Sequence, residues 1–94
     1  MTELYEQASE FVLRRIGRES ILVPIHNKVG DLDSVYTLNE VASLIWSMID
    51  GRTATSSILD RLCDEYDVPR EDAANDLGEL LGTLTEARLI RPVA

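Results

Sequence analysis

Two runs rich in Val, Ile, Leu and Phe, from Phe11 to Ile16 and from Glu19 to Ile25, flank Gly17-Arg18 and predict a hairpin with a tight turn. Pro24 has no amide hydrogen to give a ladder, so it belongs near a strand end or on an edge. His26 to Asp33 has the composition of a loop, and a short third strand, Ser34 to Leu38, follows it. Asn39 then caps a helix that is apolar at Val41, Leu44, Ile45 and Met48, with a second stripe at Ala42, Ile45, Trp46 and Ile49, stopped by Asp50-Gly51. Such a helix is apolar over more than half its circumference. It therefore requires cover on two sides.

Two further helices are predicted. Thr53 or Thr55 caps the first of them, whose stripe is Ile58, Leu59, Leu62, Cys63 and Tyr66, and Asp67-Val68-Pro69 ends it. Pro69 opens the next, with Arg70-Glu71-Asp72 as a polar start and Ala73, Leu77, Leu80, Leu81 and Leu84 as its apolar face. Gly78 and Gly82 each cost that helix about 1 kcal/mol relative to alanine, which points to close approach by another backbone. Ala87 to Val93 reads as an extended tail that packs Leu89 and Ile90 on the core, and Met1 to Glu10 as a frayed lead-in or a short helical turn. The expected fold is α+β and winged-helix-like, a small three-stranded antiparallel sheet followed by three helices in one domain spanning residues 1–94.

Composition narrows the function. The chain is 45% hydrophobic and 28% charged with a net charge of −8, which fits a folded domain and disfavours disorder. Seventeen carboxylates against nine cations disfavour nucleic acid, because a domain that neutralises phosphates needs a basic face. Cys63 is the only cysteine, so no disulfide forms within the chain and a reducing compartment is expected. No stretch approaches the roughly 18 apolar residues of a membrane span, and the acidic start is unlike a secretory signal, so a cytoplasmic protein is expected.

No catalytic set emerges. His26, the only histidine, sits in the loop region, whereas Cys63 lies on a helical apolar stripe, so a nucleophile-base pair would have to bridge the two. A core thiol and a solvated imidazole are the plainer account. Asp60, Asp64, Glu65 and Asp67 lack the glycine and loop spacing of a calcium site and read as a solvated face; no cofactor is expected. Trp46, Tyr36 and Tyr66 read as core rather than as a stacking platform. The feature above background is the edge of the third strand beside the leucine-bearing third helix, where an extended peptide could add as a strand; Arg70, beside that helix's start, could meet an acidic peptide.

Leu38-Asn39-Glu40-Val41, Ile45-Trp46 and Asp50-Gly51, followed by Ile58, Leu62, Glu65-Tyr66-Asp67-Val68, Ala73, Asp76-Leu77, Leu81, Leu84 and Leu89-Ile90, resemble the PqqD family. The resemblance implies a non-enzymatic adaptor or chaperone that binds the leader segment of a ribosomally made precursor peptide and presents it to a maturation enzyme. The partner would be a radical S-adenosylmethionine enzyme, as in pyrroloquinoline quinone (PQQ) biosynthesis, or a leader peptidase. It nominates Val35, Tyr36, Thr37 and Leu38 on the strand, with Ala73, Asp76, Leu77, Leu80 and Leu81 on the helix. Ala54 departs from the family's capping threonine, which leaves the cap to Thr53 or Thr55. The rival reading, a winged-helix DNA-binding regulator, needs a basic recognition helix, and the third helix has acids between Arg70 and Arg88.

Overall fold

The computed structural model describes residues 3–8, 11–24 and 35–93. The α+β expectation holds, with two three-stranded antiparallel sheets and three helices. Strands β2 (Phe11–Ile16), β3 (Glu19–Pro24) and β4 (Tyr36–Leu38) form one sheet with β3 in the middle. Gly17, at φ 64°, takes the first central position of the two-residue turn between Ile16 and Glu19, as a type II′ hairpin requires. Pro24 is the last residue of β3, where a missing amide hydrogen does least harm to the ladder. The expected loop from His26 to Asp33, together with Ile25 and Ser34, lies outside the described residues.

The second sheet corrects the sequence reading. Leu4–Gln7 is a strand, β1, rather than a frayed or helical lead-in, and it pairs on one side with β5 (Asp50–Ala54) and on the other with β6 (Ile90–Pro92). Asp50-Gly51 does not stop the first helix. That helix, α1 (Glu40–Ser47), closes at Met48, and Gly51, at φ 79°, stands where the β1–β5 ladder shifts register. Asp50 folds back at the strand start: its carboxylate accepts from the amides of Arg52 and Thr53 at 2.8 and 2.9 Å, which lowers its pKa.

Asn39 caps α1 as expected, its Oδ1 accepting from the Ala42 amide at 2.8 Å. Neither threonine caps α2 (Thr55–Glu65). Thr53 Oγ1 donates to Asp50, and the Thr55 amide donates to the Glu3 carbonyl at 3.0 Å, so the chain's first described residue satisfies an orphan donor of α2. Helix α3 (Arg70–Glu86) packs beside α2 and ends in a Schellman motif. Leu89 N donates to Leu84 O and Arg88 N to Thr85 O, both at 3.0 Å, with Arg88 at φ 63° where glycine is usual. Leu89 and Ile90 are buried as anticipated.

One core joins the layers, centred on Leu22, Leu38, Ile45, Ile49, Ile58, Leu77 and Leu84. Trp46 belongs to it, and Tyr36, Cys63 and Tyr66 are half-buried against it. Ser43 Oγ donates to Ser20 Oγ at 2.9 Å within this core, tying α1 to β3. Gly78 and Gly82 do not mark a close helix approach. A Cβ added at either would meet nothing within 4 Å.

Candidate peptide-binding site

The hydrogen-bond parity of the β2-β3-β4 sheet follows from its turn. A two-residue turn closes on a hydrogen-bonded pair, here Ile16 and Glu19, and the pairs alternate from there. Ser20 and Leu22 therefore direct their backbone groups toward β4, where they face Leu38 and Tyr36. Thr37 is left with its N–H and C=O pointing away from the sheet. Among the described residues no strand pairs with that outer edge.

The edge runs into a cleft. Immediately after β4, Asn39, Val41, Ala42 and Ile45 face Asp76 and Leu80 of α3 across a hollow of about 280 Å³. Val41, Ile45 and Asp76 are shared with an adjoining hollow of about 150 Å³ that Leu62, Tyr66, Val68 and Ala73 complete. Val41 and Val68 are 37% and 44% exposed, so this apolar surface is not covered by the fold. The expectation that α1 is covered on both sides therefore fails at Val41. Its Ala42, Ile45, Trp46 and Ile49 stripe is buried; of the other stripe Val41 borders the cleft, whereas Leu44 lines a different hollow.

The nominated residues divide by this geometry. Ala73, Asp76 and Leu80 line the cleft, and Val35, Tyr36 and Thr37 lie along the edge. Leu38, Leu77 and Leu81 are buried in the core and line neither hollow, although the Leu38 backbone remains part of the edge strand. The groove is thus walled by Val41, Ile45, Val68 and Leu80 rather than by Leu77 and Leu81. Arg70 does not reach it: its guanidinium pairs with Asp60 at 2.9 Å across the α2–α3 seam. Val41 and Val68 are the positions that sequence reasoning missed, and Val41 was legible only as one member of an over-wide apolar stripe.

On the other side of α1 lies a charged hollow of about 260 Å³, lined by Arg15, Arg18, Glu40, Arg61, Glu65 and Tyr66 among others. Its charges are largely matched internally. Arg18 approaches Glu40 at 3.4 Å, Arg61 pairs with Glu65 at 3.0 Å, and the Tyr66 hydroxyl donates to Glu40 at 3.4 Å. Partial burial, followed by the Glu40 charge, raises the Tyr66 pKa. A duplex reader would need basic residues on α3, yet beyond the paired Arg70 that helix exposes Glu71, Asp72, Asp76, Glu79 and Glu86.

The family model described as coenzyme PQQ synthesis protein D (PqqD) matches residues 19–90. The chain belongs to the PqqD family. Among solved structures, TbiB1 in complex with the TbiA(beta) leader peptide is similar at a TM-score of 0.77 and 26% identity. That alignment covers 95% of this chain and 98% of TbiB1. No curated protein sequence matches the chain. Membership in the PqqD family covers β3 through the start of β6, and therefore both the edge strand and the two helices that wall the cleft.

Proposed function

We propose that this PqqD-family protein is a non-catalytic adaptor that captures the leader segment of a ribosomally made precursor peptide and presents it to a maturation enzyme. The leader adds as a strand to β4, exchanging hydrogen bonds with Thr37, and sets apolar side chains into the cleft between α1 and α3. The observation that carries the reading is a strand edge opening directly onto an apolar cleft, neither of them covered by another element among the described residues. Its likeness to a protein solved with a leader peptide supports the same reading. The pathway is PQQ biosynthesis or another peptide modification of that kind, with a radical S-adenosylmethionine enzyme or a leader peptidase as the partner.

The test is a titration with the leader of a precursor peptide encoded beside the chain's own gene. Thr37→Pro removes an amide that points out of the sheet, so the β3–β4 ladder keeps its bonds while the docking edge loses one. It should weaken binding by about 2 kcal/mol, roughly thirtyfold, with an unchanged circular dichroism spectrum. Amide shifts on adding the leader should map to residues 35–38 and to the cleft side of α3. Shifts confined to α2, with β4 silent, would rule out strand addition.

A further inference from the structure

Among the described residues, Asp76 is the one charged side chain that lines the cleft, and it borders both of the adjoining hollows. Its carboxylate has no ion-pair or hydrogen-bond partner among those residues, and no arginine or lysine lines either hollow. The hollow on the other side of α1 is the contrast, because Glu40 and Glu65 there each meet an arginine. A peptide laid over the apolar wall takes water from Asp76. A desolvated charge left unpaired is costly, so an occupant that covers Val41 and Val68 must also bring a donor to this carboxylate.

The surrounding charge chooses the donor. Asp72, Asp76, Glu79 and Glu86 follow one another along α3 at intervals of four, three and seven residues, so they share one exposed stripe beside Ala73 and Leu80. That stripe carries no cation, and it belongs to a chain of net charge −8. A hydroxyl or amide would give Asp76 a hydrogen bond and gain nothing from this field. An ammonium or guanidinium gains from both.

We infer that the leader taken by this protein is cationic at the cleft: it carries an apolar anchor and, two residues away, an arginine or lysine that pairs with Asp76. The inference rests on the adaptor reading and names the class of leader, which that reading leaves open. The spacing follows from strand addition. Tyr36 and Leu38 turn their side chains into the fold and Thr37 turns outward, so alternate residues of an added strand, about 7 Å apart, face the cleft. One of them fills a hollow. The stem of the other lies along the apolar wall of the adjoining hollow, shared at Val41 and Ile45, while its charged end reaches Asp76.

The experiment selects a phage-displayed library of random dodecapeptides on the full chain and, in parallel, on Asp76→Arg. Peptides that bind at the edge strand are those that Thr37→Pro weakens. Among them, the unaltered chain should select Arg or Lys two residues from a Leu, Ile, Val or Phe, and Asp76→Arg should select Asp or Glu at that position. A synthetic peptide of the first kind should bind more weakly as salt rises. It should lose about tenfold in affinity on Asp76→Asn or on replacement of its cation by glutamine, and the two changes together should cost little more than either alone. Glu71→Gln removes the same charge from an exposed position that lines neither hollow and should alter affinity by less than about twofold. Edge-binding peptides without the cation, an unchanged preference on Asp76→Arg, or fully additive losses would overturn the inference and leave the adaptor reading standing. If neither the library nor the leader titration yields a peptide that depends on Thr37, the adaptor reading falls and this inference falls with it.

Discussion

The hollows on either side of α1 are opposite in what they need. The charged one is built from arginines and carboxylates that already face one another, so a ligand entering it would have to compete with Glu40 for Arg18 and with Glu65 for Arg61. The apolar one has Val41 and Val68 open to water and offers a single carboxylate, Asp76, at its wall. Exposed ion pairs of the first kind contribute about 0–1 kcal/mol and are weakened by salt. Covering apolar surface of the second kind returns roughly 25 cal/mol per Å². A cavity's volume is therefore a poor guide to a binding site when its own side chains satisfy it.

The largest expected effect comes from putting a charge into the apolar hollow. Val41→Glu should weaken leader binding by about 2 kcal/mol, roughly thirtyfold, because the carboxylate loses water when the peptide closes over it. Ser47→Glu, on the charged side of the same helix, should change affinity by less than about 0.5 kcal/mol. Calorimetric titration of both variants breaks the comparison if they behave alike.

A smaller effect concerns α3, the far wall of the apolar cleft. Since a methyl at Gly78 or Gly82 meets nothing, each glycine-to-alanine change should stabilise the domain by about 1 kcal/mol in chemical denaturation. A loss of stability on either change would restore the close-approach reading.

The smallest effect belongs to the charged side. With its pKa raised, Tyr66 holds its proton more tightly in the folded state than in the unfolded chain. Its contribution is therefore present in full below the unfolded value near 10 and is lost as pH rises through the folded value. Ultraviolet titration should show the Tyr66 hydroxyl ionising above its ordinary value, and Glu40→Gln should bring it back toward that value. Leader affinity should not follow that titration.

What was legible in the sequence is what local chemistry decides. Asn39 reads as a cap because its oxygen reaches an amide three residues on, and Gly17 reads as a turn because the flanking runs leave it no other place. The second sheet was not legible. Asp50-Gly51-Arg52-Thr53-Ala54 has neither apolar alternation nor β-branched richness, and only β1, more than forty residues away, makes it a strand. The cleft was half legible, since periodicity identified α1 as over-wide in apolar residues without showing which stripe α3 leaves open. Leu77 and Leu81 were assigned to the groove because a leucine face looks the same whether it fills a core or lines a cavity. Arg88 in a left-handed conformation was hidden for a different reason: the terminal hydrogen bonds and the buried Leu84 and Leu89 hold it there, not its own preference.

The pairing of β1 with β6 fixes an order of events during synthesis. The β2–β3 hairpin, β4 and α1 close over short sequence separations, and all of them have been made before α2 begins. The β5-β1-β6 sheet joins Glu6 to Arg91, 85 residues apart, so β1 waits for its second partner until residues 90–92 have left the ribosome. The edge strand is therefore among the earliest parts of the domain to form. The sheet that clamps the start of α2 through Glu3 is the last.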